Sequence, residues 1–255
     1  MSGRTLEPFG LMRDLIDAGK SRIANLLGLP ATRLPRAYRG IPDAALYAPL
    51  YSPWKRDEFQ VLYAAIQDFT LVGPDRAWVL YTLSRQAMAV SGAFVECGVY
   101  RGGTAVLMAK VLEQSGVAVN KPLHLFDTFC GMPQTTRGVD LHKAGDFADT
   151  NAAAVRARLP PRITCELHAG VIPQTFAALT DLQVAFAHID LDIYRAVLDS
   201  CEFLYPRMTR GGFMVFDDYG FASCPGARSA VDEFFANKPE NPLCLSTGQA
   251  LVFRN

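Results

Sequence analysis

From Pro74 onward the chain alternates short apolar runs with longer stretches of helical spacing, and that alternation leaves few folds open. Five runs stand out: AFVEC (93–97), PLHLFD (122–127), ITCEL (163–167), VAFAHID (184–190) and GFMVFD (212–217). Each is close to continuously apolar, the pattern of strands covered on both faces. Between them lie helical patterns at 74–90, 103–115, 152–159, 194–205 and 227–237, with a short helical patch at 174–180. Repeated strand–helix units imply a parallel sheet with helices on both faces. The chain closes with LCLS (243–246), a TGQ turn and ALVFR (250–254), a hairpin whose last strand runs antiparallel to its neighbour. The expected fold is α/β: a doubly wound, Rossmann-like, mostly parallel sheet with an antiparallel C-terminal hairpin strand.

Composition excludes several classes. With 25 basic and 25 acidic residues the formal charge is zero, so nothing favours nucleic acid as a partner. No run approaches the ~18 apolar residues that span a bilayer, and the N-terminus has no signal-like apolar core, so no membrane span is expected. Leu6, Phe9, Leu15, Ile16, Ile23, Leu26 and Leu27 have loosely helical spacing that suits packing, and a homo-oligomer is expected. The six cysteines, at 97, 130, 165, 201, 224 and 244, show neither CxxC pairing nor metal spacing. A reducing, cytoplasmic setting follows.

In open α/β sheets ligands bind outside the carboxyl ends of the strands. Here those ends carry chemistry. The first strand runs into ECGVYRGGT (96–104); the second ends in Asp127, the fourth in Asp190, the fifth in Asp217 and Asp218. Glycines at such a turn let backbone approach a ligand without a Cβ clash. The spacing is neither G-x-G-x-x-G nor a P-loop, so the loop is not built for a pyrophosphate. Glu96 suits a ligand ammonium and Asp127 a pair of ribose hydroxyls, both tasks for an ionised acceptor. They stand 31 residues apart, beyond the ~20 of a nicotinamide dinucleotide site. S-Adenosylmethionine, with a ribose and an amino-acid tail but no pyrophosphate, fits these demands.

Taken together, VECGVYRGGTAVLMA, LFDTFCGMP, HIDLDIY, LYPRMTRGGFMVFDDYG and CPGARSAVDEF resemble the macrocin O-methyltransferase family, which methylates sugar hydroxyls in antibiotic biosynthesis. The resemblance covers about residues 65–255. It implies a class I methyltransferase fold, S-adenosylmethionine and Mg2+. It also implies that Glu96, Gly98 and Gly102 hold the methionine end, with Arg101 and Gly103 in the same loop. Asp127 would hold the ribose, and Asp190, Asp217 and Asp218 the metal, with Asp190 also near the cofactor. FTLVGPDR (69–76) is similar to the family's cofactor-covering segment, which makes Thr70 and Leu71 contacts. The chain departs from the family at Arg195 and Ala196, where a small polar pair is usual. Residues 1–73 then form an N-terminal extension supplying lid, acceptor or oligomer contacts, and 74–255 form the methyltransferase domain.

Three acids converging in one cleft raise each other's pKa unless a cation is present. Mg2+ takes hard oxygen ligands, and an acceptor with two adjacent hydroxyls can complete its shell. Asp190 is the first candidate for the base and His142, in the polar loop after the second strand, the other. Asp192 is read as bracing its loop, and His124, His168 and His188, in or at the ends of strands, as structural. The expected activity is O-methylation of a vicinal diol on a sugar or glycosylated natural product. A catechol-type acceptor and a non-catalytic cofactor-binding scaffold are the alternatives. Residues 131–150, polar and glycine-containing, have the profile of a lid.

Overall fold

The computed structural model describes residues 52–55, 57–116 and 121–255. The apolar spacing at 6–27, and the oligomer contact expected from it, lie outside the described residues. Strands β1 (Ala93–Cys97), β2 (Leu123–Asp127), β3 (Cys165–Ala169), β4 (Val184–Ile189), β5 (Met208–Phe216), β6 (Leu243–Cys244) and β7 (Ala250–Phe253) form one sheet, in the order β3-β2-β1-β4-β5-β7-β6. The first five are parallel, and β7 runs antiparallel to both β5 and β6. The chain steps outward from β1 to β3 and returns to place β4 on the other side of β1. That reversal opens a crevice above the carboxyl ends of β1 and β4.

Helices α1 (Asp57–Ala64), α2 (Pro74–Ala87), α3 (Gly103–Ser115), α4 (Ala152–Arg158), α5 (Tyr194–Leu204) and α6 (Pro225–Phe235) connect the strands and precede them. Local signals set their ends. Pro74 opens α2 with Asp75 in its first turn, the Asn151 side chain caps α4 by accepting from Ala154 N at 3.0 Å, and Gly116 ends α3 in the left-handed region. One face of the sheet packs Phe94, Leu123, Leu125 and Phe186 against α2 and α3; the other packs Val95, Phe126, Ile189 and Met214 against α5 and α6. Phe59, Leu62 and Ile66 are buried in the first of these cores. A compact unit runs from Pro53 to Asn255.

Strand β5 begins at Met208, four residues before the apolar run suggests. Its pairing with β4 slips between Val184↔Met208 and Phe186↔Phe213, so the Gly211-Gly212 pair is absorbed as an irregularity within the strand instead of ending it.

Three ionisable side chains cross the middle of the sheet. Glu96 on β1 lies opposite His188 on β4, and Asp217 follows β5; none has any exposed surface. His188 Nδ1 is 2.9 Å from Glu96 Oε1, and its Nε2 is 3.4 Å from Asp217 Oδ1. Burial alone would depress the imidazole, but Asp217 and Glu96 overcome it and hold His188 up to about 10. The ring is thus an imidazolium bonded to acids on both sides. Its stabilisation is complete below the ordinary histidine value near 6.5 and declines as pH rises through about 10. Thermal melts between pH 6.5 and about 8.5, where ordinary thiols begin to titrate, should show wild type losing stability with rising pH. His188→Gln should lose most of that slope. A wild-type melting temperature that did not fall over this window would remove the imidazolium.

Candidate active site

The crevice above β1 and β4 is a cavity of about 300 Å3. Its floor is the loop after β1. Gly98 has φ +89, and a Cβ there would lie 1.7 Å from the carbonyl oxygen of Asp190, so only glycine lets the first loop pass this close to the end of β4. Gly103 is equally constrained, since its Cβ would fall 2.4 Å from that of Thr70. Thr70 and Leu71 thereby lie directly over the start of α3, and both line the cavity.

Asp127 braces this loop. Its Oδ2 accepts from Val99 N at 2.8 Å and Tyr100 N at 2.9 Å, and its Oδ1 from Phe129 N at 2.6 Å. A carboxylate has about four acceptor positions, so capacity remains for a ligand hydroxyl on the cavity side. Glu96 is placed differently. It is completely buried against His188, beneath the loop and not among the cavity-lining residues, and its Oε2 has no hydrogen-bond partner. Arg101 turns away to pair with Asp149, and Gly102 packs against Val155.

The acids after β4 and β5 meet at the other side. Asp190 and Asp218 both line the cavity. Burial, then the neighbouring Asp217 and Asp218, pushes the Asp190 carboxyl well above the ordinary carboxylate range; burial with Asp192 and Asp217 does the same to Asp218. Asp217 goes the opposite way. Burial would raise it, but His188 and then Arg76 and Gln249 hold it down. Both its oxygens are engaged: Oδ1 accepts from Gln249 Nε2 at 2.8 Å and faces His188, while Oδ2 pairs with the Arg76 guanidinium. One oxygen of Asp190, one of Asp217 and a nitrogen of His188 lie within 4.8 Å of one another.

Residues 131–150 wall the cavity with Met132, Pro133, His142 and Phe147. The segment folds back on itself through Met132 N to Asp146 O (2.7 Å) and Gly145 N to Met132 O (2.9 Å). His142 Nδ1 is 3.3 Å from Asp146 Oδ2, and its Nε2 is 3.6 Å from Asp192 Oδ1. Cys224 donates to the same Asp192 oxygen at 3.2 Å. Asp192 has φ +60, a left-handed conformation uncommon outside glycine, and burial raises its carboxyl.

The sequence model of the macrocin-O-methyltransferase (TylF) family matches residues 64–254, nearly the whole described unit. The chain belongs to the macrocin O-methyltransferase family. A curated relative, 8-demethyl-8-(2,3-dimethoxy-alpha-L-rhamnosyl)-tetracenomycin-C 4'-O-methyltransferase of Streptomyces olivaceus, is 29% identical over 87% of this chain and 85% of its own. Mycinamicin III 3''-O-methyltransferase of Micromonospora griseorubida is 27% identical over 65% of this chain and 69% of its own. Among solved structures, the O-methyltransferase NovP superposes with a TM-score of 0.66 at 24% identity, covering 73% of this chain and 82% of that one. The calicheamicin methyltransferase CalS11 superposes at 0.56 and 19% identity over 99% and 98%. These superpositions match the class I methyltransferase fold expected from the sequence, and family membership makes the chain a methyltransferase acting on oxygen.

Three cavity residues of this macrocin O-methyltransferase family member escaped the sequence reading as parts of a site. Asp192 was read as a loop brace, and Cys224 sits in a helix-start segment with no motif of its own. Arg76 belongs to α2, 141 residues before the carboxylate it meets. Its only sequence signal is its place as the last residue of FTLVGPDR (69–76), the segment that carries Thr70 and Leu71. Arg76→Met should leave Asp217 short of one charged donor and cost about 1.5–3 kcal/mol of stability, read by denaturant unfolding. A variant as stable as wild type would mean that Gln249 and His188 alone satisfy Asp217.

Proposed function

We propose that this chain is an S-adenosylmethionine- and Mg2+-dependent O-methyltransferase acting on a vicinal diol of a sugar within a glycosylated natural product. The observation that carries the reading is one cavity that joins a glycine cradle and Asp127 to the pair Asp190 and Asp218. The names of the relatives, one acting at a rhamnosyl tetracenomycin and one at a mycinamicin, support a glycoside acceptor. Four buried free cysteines, Cys97, Cys165, Cys201 and Cys224, support a reducing cytoplasmic setting.

The residues fit both groups. For the cofactor, Gly98 and Gly103 let the loop after β1 pass close to Asp190 and Thr70, which brings these residues to one cavity, and Asp127 retains acceptor capacity for the ribose. For the ion, Asp190 and Asp218 are hard oxygen donors whose carboxyls are raised by burial and then by the neighbouring carboxylates. Asp217 joins them only by exchanging Arg76 for the ion.

When bound, S-adenosylmethionine supplies the methyl group and Mg2+ the charge that makes an acceptor hydroxyl more acidic. The chain's own residues do the rest. Thr70, Leu71 and the 131–150 segment exclude water, and the acids after β4 and β5 orient the diol. Asp190 and His142, the two candidates for the base, both line the cavity, as does Asp192. Were Asp190 to hold the ion, the proton would pass to the Asp192–His142 pair. Asp192 is made more basic by burial, and His142 lies 3.6 Å from it to accept or share the charge.

Calorimetry with S-adenosylhomocysteine should give binding to wild type and a loss of about 1.5–3 kcal/mol in Asp127→Ala, the worth of bonds to a charged acceptor. Equal affinity would end the ribose assignment.

Turnover of a glycoside with a vicinal diol should vanish in chelator and return with Mg2+, and Asp218→Asn should lose most of it while keeping cofactor affinity. His142→Ala and Asp192→Asn should each lower kcat by roughly 10²–10⁴-fold. Full activity in chelator would defeat the metal. If Asp190→Asn abolished turnover while Mg2+ affinity and both other variants stayed near wild type, Asp190 would be the base.

A further inference from the structure

On the outer edge of the sheet, β2 and β3 bring together three side chains that do not line the cavity and that the proposed reaction does not use. His124 lies opposite Glu166 in the parallel register, and His168 is two residues further along β3, so all three project from one face. His124 Nδ1 is 3.0 Å from His168 Nε2 and 3.6 Å from Glu166 Oε2. The three donor atoms fall within 4.8 Å of one another.

We propose that His124, Glu166 and His168 form a second metal site, for a Zn2+-class ion, that staples the edge strand β3 to β2. Ligands around a tetrahedral Zn2+ at about 2.0–2.1 Å stand roughly 3.3 Å apart, and the two distances here bracket that spacing. Two imidazoles and one carboxylate form the donor set of borderline ions such as Zn2+, Co2+ and Ni2+, not of Mg2+, which prefers oxygen. The set is also pre-arranged. His168 stacks on Phe126 with ring centroids 4.4 Å apart and planes 15° from parallel, which fixes where its Nε2 points. His124 is 5% exposed, so its ring is held by packing. Glu166 is half exposed, which leaves the fourth position to water. In the ion-free state the two rings share a single N–H between them. Metal binding requires only that the donating ring carry its proton on its other nitrogen. The gain is mechanical as well as chemical, because β3 has β2 as its one neighbour in the sheet.

The site is independent of the proposed reaction, and its test is kept apart from it. Untagged full-length protein, stripped with chelator, is titrated with Co2+ in saturating Mg2+. One Co2+ per chain with tetrahedral visible bands is expected, displaced by Zn2+, together with a higher melting temperature. The bands should disappear in His168→Gln. Glu166→Gln changes only a half-exposed carboxylate and keeps the fold intact; it should weaken binding by roughly tenfold or more, since even outer-shell losses cost that much. Cys224→Ser should bind like wild type. Failure to bind Co2+, unchanged affinity in either site variant, or a thiolate-to-cobalt charge-transfer band lost in Cys224→Ser would overturn the proposal. The last would place the ion instead on His142, Asp192 and Cys224, which also lie within reach of one another.

Discussion

The buried imidazolium of His188 is the interaction on which the centre of this molecule depends. Two carboxylates with no exposed surface, Glu96 and Asp217, belong to strands on opposite sides of β4, and each would be costly to bury charged on its own. His188 answers both at once, with Arg76 and Gln249 completing Asp217. The parallel alignment of β1, β4 and β5 and the charge state of the site floor are therefore one problem with one solution. A shift of either strand by one residue would turn its acid to the other face of the sheet.

The same arrangement divides the acids of the site into two kinds. Asp217 is held low by internal cations, while Glu96, bonded to the same His188, is still raised by burial and lies out of the cavity. Asp190 and Asp218 line the cavity and are driven toward their protonated forms by burial and by their neighbouring carboxylates. Within one constellation of carboxylates, burial and partners thus separate a structural set from a set available to ligands. Residue type alone makes no such distinction.

That division explains how far the sequence could be read. The strands were legible because they are covered on both faces and so nearly continuously apolar, and the acids at their carboxyl ends were legible because α/β topology says where those ends lie. Thr70, Gly98, Gly103, Asp127, His142, Asp190 and Asp218 all line the cavity. The start of β5 was hidden because Gly211-Gly212 has the composition of a turn, and only pairing with β4 shows it to be strand. Arg76 was hidden for a deeper reason. Its partner is far away in sequence, and the ion pair exists only once α2 has docked over the sheet. At Asp192 a D-x-D spacing does not reveal that the second acid adopts a left-handed backbone and turns toward His142.

The 131–150 segment has one further property. It is pinched at its base by two backbone bonds between Met132 and its partners at 145 and 146, and tied to the body at its middle, where Asp140 Oδ1 accepts from Tyr194 N at 2.8 Å and His142 reaches Asp192, and at its end, where Asp149 pairs with Arg101. The Asp140 carboxylate is seated so closely that a Cβ on Gly226 would fall 1.9 Å from the same oxygen. A segment closed at its base and tied down at a few side chains behaves as a cassette. The stretches between those ties, including the wall at Pro133, can be exchanged for another length or chemistry while the sheet beneath is untouched. The ties must stay: the neck at Met132, Asp140 with the glycine that receives it, His142 against Asp192, and Asp149 against Arg101. Diversification of acceptor preference on this scaffold then becomes a matter of loop replacement, with Gly226 as the socket.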